Sequence, residues 1–137
     1  MGEVRLTVKL TNAADLALVR RNLMQPGEVR SVESNALIDT DAVSLVLPSF
    51  VVERLRLSRP FKQVSEYADG RREEVDVTEP VLVEMMGRHT AEEALVLGDE
   101  VLIGQTILEK TDLHVNCRER RLLPNPAHPD QPVLKVK

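Results

Sequence analysis

The chain has 137 residues, 42% of them apolar and 29% charged, a balance that belongs to a globular domain with one core and not to a disordered or membrane-spanning chain. Lys and Arg total 18 against 22 Asp and Glu, a formal charge of -4, and Phe50, Phe61 and Tyr67 are the whole aromatic complement, which excludes a basic groove or stacking platform for nucleic acid. Cys117 is the single cysteine and cannot close an internal disulfide, while His89, His114 and His128 stand at no zinc-binding spacing, so no metal or cofactor is expected.

Val4, Leu6, Val8 and Leu10 alternate with polar neighbours, which predicts a half-buried strand at the start of the chain. That opening is unlike a charged-then-apolar signal peptide, and no apolar run approaches the roughly 18 residues of a membrane span. The expectation is a cytoplasmic protein without a membrane partner. Asn12 or Asp15 caps a short helix over Leu16 to Leu23, which Gln25-Pro26-Gly27 then breaks. Val29 to Ile38 returns to extended character and ends in the apolar triplet Ala36-Leu37-Ile38, running directly into Asp39-Thr40-Asp41-Ala42.

Ser44 to Leu47 follows as an apolar stretch, and Pro48 suits the start of a short helix over Ser49 to Leu55. Extended arms at Val64–Tyr67 and Glu74–Val77 flank Ala68-Asp69-Gly70-Arg71, where the Asp-Gly pair predicts a hairpin turn. A second hairpin is read between Val81–Val83 and Ala94–Leu97, with Gly87 in its turn region. Val101-Leu102-Ile103 is then an apolar strand stopped by Gly104 and followed by a helical turn through Leu108, and Leu113 and Val115 mark a late strand. Pro124, Pro126, Pro129 and Pro132 are half of the 8 prolines, so the end of the chain cannot be helical. Two segments follow: a domain over residues 1–123 and a Pro-rich tail over 124–137 whose last residues suit an edge or interface strand.

Many short strands, two hairpin signals and brief helices give an all-β fold. Within it, Ala36-Leu37-Ile38-Asp39-Thr40-Asp41-Ala42 and the downstream Val101-Leu102-Ile103-Gly104 with its helix ending at Leu108, separated by the Tyr67–Arg71 hairpin, resemble the retropepsin-like aspartic proteases, the single-lobed relatives of pepsin. The resemblance covers about residues 29 to 123 and rests on the order of the motifs more than on any one of them. It implies a closed acid-protease-like β-barrel with one or two short helices and a flap hairpin. It also implies that Asp39 is the catalytic aspartate and that a second copy of it comes from another chain, in a homodimer acting on extended peptide. Thr40 would grip the opposing loop, Ile103 and Gly104 would support both loops from behind, and Ala68, Asp69 and Gly70 would form the flap tip. Ala42 stands where a hydroxyl would donate to the aspartate, so activity would extend toward mildly acidic or near-neutral pH.

One residue departs from the family pattern: Asp41 replaces the glycine of Asp-Thr-Gly. In a dimer it brings four carboxylates together, and at ~6 Å with an effective dielectric of about 20 each added like-charge contact costs about 3 kcal/mol. Two readings follow, an aspartic endopeptidase and a protease-fold binding or assembly module in which Asp41 impairs turnover. The same residues taken without their context also suit a strand-end turn, in which Asp and Thr bond their own backbone. A calcium loop does not fit, because Val43 and Phe50 occupy positions that need oxygen ligands.

Overall fold

The computed structural model describes residues 3–136. Strand β1 (Val4–Asn12) runs into helix α1 (Ala13–Arg20), and a short 3-10 turn at Pro26–Glu28 leads to β2 (Ser31–Ile38). Then come β3 (Leu45–Leu47), α2 (Ser49–Arg54), β4 (Phe61–Glu66), β5 (Arg72–Val77), β6 (Val81–Met85), β7 (Arg88–Glu92), β8 (Ala94–Val96) and β9 (Val101–Ile103). Helix α3 (Gln105–Thr111) and the hairpin of β10 (Leu113–Asn116) with β11 (Arg121–Pro124) complete the regular structure. Among the described residues no helix is long and apolar enough to cross a membrane.

Nine strands form one sheet in the order β4-β5-β8-β3-β9-β2-β1-β6-β7, and β10 and β11 form a separate ribbon. The alternation at Val4 to Leu10 places Val8 and Leu10 against Ala36, Leu45, Leu47, Ile103 and Ile107 in the core. Asn12 caps α1 by accepting the Asp15 amide at 3.1 Å, and its Nδ2 donates to the Leu55 carbonyl at 2.8 Å, which ties the first helix to the end of the second. Helix α1 ends at Arg20, short of Leu23, because Asn22 takes a left-handed turn (φ 60°) and the Leu23 amide closes back on the Leu18 carbonyl at 2.8 Å. Leu23 is left exposed.

The expected closed barrel is not formed. β4 and β7 are the two ends of the sheet, each bonded to one neighbour alone, so the sheet is open. Edge strand β4 is exposed along almost its whole length and presents Lys62, Gln63 and Glu66 beside the exposed apolar side chains of Phe61 and Val64. The second hairpin is also corrected: β6 pairs with β7 through the Met86-Gly87 turn, with Val83 opposite Thr90, whereas β8 lies between β3 and β5. The Asp69-Gly70 hairpin joins β4 and β5 as expected.

Candidate active site

The sheet order β3-β9-β2 positions the acidic motif. β9 lies between the two strands that the Asp39–Ser44 loop connects, parallel to β2 with Ile38 opposite Ile103, and antiparallel to β3 with Val46 opposite Leu102. The loop must therefore cross the end of β9, which is where Gly104 stands. The Asp39 amide donates to the Ile103 carbonyl at 3.0 Å, and the amides of Gln105 and Thr106 donate to the carbonyls of Ala42 (2.8 Å) and Val43 (3.1 Å). The two motifs thus meet in space, backbone on backbone.

Gly104 has an ordinary extended conformation (φ -90°), so its backbone does not call for glycine. Space does. A Cβ there would stand 2.4 Å from the Ser44 carbonyl oxygen, 2.7 Å from that of Ala42 and 2.8 Å from the Ser44 nitrogen. Only a residue without a side chain lets the crossing loop rest on the strand end.

Asp39 is partly exposed at the top of this crossing. The Asp41 amide donates to its Oδ1 at 3.0 Å, and the Ala42 amide donates to its carbonyl at 3.1 Å, so a tight turn orients the carboxylate. Asp41 is exposed and is not among the residues with positive φ, so the aspartate in place of the family glycine imposes no left-handed strain on the loop. Its effect is charge and bulk. Among the described residues no hydrogen bond or ion pair engages the Asp41 carboxylate or the Thr40 hydroxyl, and no cluster of three or more His, Cys, Asp or Glu is placed to hold a metal ion.

The hairpin of β4 and β5 is built separately. Gly70 supplies the left-handed residue of its turn (φ 87°), and the Tyr67 amide closes it on the Arg71 carbonyl at 2.8 Å. Asp69 accepts from both the Arg71 amide (2.9 Å) and its guanidinium (3.0 Å), while that guanidinium lies 4.7 Å from the centre of the Tyr67 ring. The Tyr67 hydroxyl donates to Glu73, whose carboxylate pushes the phenol's pKa above its ordinary value. At the base of the hairpin Asp76 accepts from Lys62 at 2.9 Å and Arg59 at 3.1 Å, which hold its carboxyl below the usual range. Ala68, Asp69 and Gly70 are all exposed at the tip, and among the described residues no hydrogen bond joins this tip to the Asp39 loop.

A second acidic centre went unread in the sequence. Asp112 ends α3 in the left-handed region (φ 56°), and its carboxylate accepts from Asn125 Nδ2 (2.9 Å), His128 Nδ1 (2.7 Å) and the Val133 amide (3.0 Å). Arg88, buried on β7, donates to the carbonyls of Thr111 and Asp112 at 2.9 Å each and to that of His128 at 3.2 Å. These partners lie 13 to 24 residues from Asp112 or Thr111 along the chain and follow no local period. Between α3, β10 and the tail runs a groove of about 550 Å³ that Thr40 also lines.

An apolar-apolar-Asp-Thr loop carried across an apolar-apolar-Gly strand end, with a hairpin between the two motifs in the chain, is the framework of a retropepsin-like protease fold. No protein-family model matches the chain, and no curated protein matches it. Among solved structures it is similar to EIAV protease, determined in complex with an inhibitor, at 30% identity, covering 56% of this chain and 75% of that one with a TM-score of 0.46. It is similar also to the simian foamy virus (mac) protease, at 20% identity, covering 56% of this chain and 80% of that one with a TM-score of 0.43. The chain has a retropepsin-like protease fold.

Proposed function

We propose that the protein is an aspartic endopeptidase whose active site is completed by a second copy of the chain. The observation that carries this reading is the crossing at Gly104, where two motifs far apart in sequence meet through backbone bonds and a contact that excludes any side chain. It holds Asp39 rigidly without using up its carboxylate, since Oδ1 accepts one amide and Oδ2 has no bonded partner among the described residues. One chain contributes one such aspartate, so the dyad requires Asp39 of the partner subunit.

Two carboxylates facing each other share a proton, the pattern for which aspartic proteases are the general example. The ionised member takes a proton from water as its oxygen attacks the peptide carbonyl carbon, and the protonated member gives its proton to the carbonyl oxygen. The tetrahedral species collapses when the amide nitrogen is protonated and its bond to carbon breaks. Thr40, exposed beside Asp39, supplies the hydroxyl that grips the opposing loop, and the β4–β5 hairpin covers an extended substrate through strand-type pairing.

The second reading rests on Asp41. Its exposed carboxylate stands two residues from Asp39 with no cation paired to it among the described residues, so a dimer gathers excess negative charge where substrate must lie. A module of this fold that binds peptide without turnover is the result if that charge blocks the dyad. Peptide-library cleavage by the wild type, Asp41→Gly and Asp39→Asn separates the two. The endopeptidase reading expects Asp41→Gly to cleave at least as fast as wild type and Asp39→Asn to fall by about a hundredfold or more. If the wild type does not cleave as a verified dimer, the binding module stands, and cleavage by Asp41→Gly alone identifies the Asp41 charge as the block.

A further inference from the structure

β4 ends the nine-stranded sheet and bonds to β5 alone, so one side of its backbone has no strand beside it. Which residues face that open side follows from the turn. The Tyr67 amide donates to the Arg71 carbonyl at 2.8 Å, so Tyr67 bonds inward, and in an antiparallel pair the inward-bonding residues recur at every second position. Phe61, Gln63 and Ser65 therefore bond to β5, while Lys62, Val64 and Glu66 turn their N–H and C=O groups to the open edge. Such an edge is a template for a further strand, and β4 contains neither the proline nor the bulge that would spoil it.

The pattern of the edge names its occupant. Its outward residues read Lys62, Val64, Glu66, one charge of each sign placed symmetrically about a valine that is 61% exposed. When two copies run antiparallel about a two-fold axis at Val64, that valine meets its own counterpart, and each Lys62 meets Glu66 of the partner subunit. Within one chain Lys62 already bonds Asp76 at 2.9 Å and Glu66 bonds Arg72 at 3.0 Å. The joined edges thus carry rows of alternating charge across four strands: Asp76, Lys62, the partner's Glu66, the partner's Arg72. Other registers lose this match. An axis at Lys62 or Glu66 sets like charges opposite each other, and an axis at Gln63 or Ser65 sets a charge against Val64.

We infer that β4 is an interaction surface for a second copy of this chain, the two edges joining antiparallel about Val64 into one continuous sheet. The contact does not use Asp39, so it stands or falls apart from the proposed function. Where the β4–β5 hairpin covers a substrate, joining its edge to another copy ties that cover down.

The test uses the Cys117→Ser chain, which has no other thiol, carrying either Val64→Cys or Lys62→Cys at these exposed positions. In a glutathione redox buffer Val64→Cys is expected to form a disulfide-linked dimer at least about tenfold faster than Lys62→Cys. Residues facing each other at the axis lie about 5.5 Å apart, within disulfide reach, whereas the two copies of position 62 stand four residues out of register, roughly 13 Å along the strand. Adding Lys62→Glu or Glu66→Lys to the Val64→Cys chain sets like charges opposite and should slow linking about tenfold. Mixing those two variants should restore it, since every carboxylate then meets an amine. A loss caused within each chain, at Asp76 or Arg72, would persist on mixing. Equal linking at 62 and 64, no linked dimer from either, or no recovery on mixing overturns the inference. Each of these outcomes leaves the protease reading intact, because cleavage alone decides that.

Discussion

Asp39 follows strand β2 and Asp112 ends helix α3, and their surroundings could hardly differ more. Asp112 is buried, and its carboxylate takes three donors that draw a remote stretch of chain against it. Asp39 is partly exposed and takes one, the amide of Asp41, while the firmness of its position comes from the backbone around it. A carboxylate whose lone pairs are filled by protein donors is committed to structure; one held by its main chain keeps its oxygens for water and substrate. Rigidity at Asp39 is supplied by Gly104 from behind, and rigidity at Asp112 is supplied by the carboxylate itself.

The strongest way to break that contrast is to disturb each aspartate's own support. Gly104→Ala forces a methyl group to within 2.4 Å of the Ser44 carbonyl, backbone against backbone, with no flexible side chain to yield. A loss of about 3 kcal/mol or more in urea unfolding is expected, at the upper end of overpacking costs, together with loss of any cleavage. Unchanged stability would mean that the loop does not rest on the strand end.

At Asp112 the corresponding test is acid. Its folded pKa, about 2, lies below the ordinary carboxylate value of 3.8, so between these values the unfolded chain binds more protons than the folded one. The contribution is fully present above about pH 4 and is lost as pH falls toward 2. Wild type is expected to exceed Asp112→Asn in urea midpoint at pH 7, with the gap closing between pH 4 and 2. A gap that persists at pH 2 would show that the advantage does not come from the charge.

The sequence made the Asp39 side of this comparison legible because its signals are local: an apolar triplet before Asp-Thr, another before Gly104, Asp-Gly between extended arms, and Pro48 at a helix start. The β6–β7 pairing was not legible. The buried face of β7 carries Arg88 and Thr90, so the hydrophobic period that marks a half-buried strand is silent there. The open sheet was unreadable for a related reason, since alternation reports which face of a strand is buried and not whether the last strand meets the first. His128 stands at no metal-binding spacing in the sequence, and nothing in its neighbourhood names Asp112 as its partner. A fastening that joins one helix end to three tail positions leaves no repeating pattern.

The smallest effect separates backbone from carboxylate most cleanly. Arg56 and Asp112 both follow helices and both sit in the left-handed region, at φ 52° and 56°, where a side chain strains the backbone and glycine does not. The Arg56 amide bonds to the Glu53 carbonyl at 3.0 Å and the Leu57 amide to that of Val52 at 3.1 Å, bonds that any residue makes. Arg56→Gly is therefore expected to stabilise the fold by up to about 1 kcal/mol at every pH. Asp112→Gly gains the same backbone relief and loses the carboxylate. It should unfold more easily than wild type at pH 7 and match or exceed it near pH 2, where protonation has already removed the charge. Parallel curves for the two glycine variants across that range would mean that Asp112 serves only as a helix end, and the contrast with Asp39 would reduce to a difference in exposure.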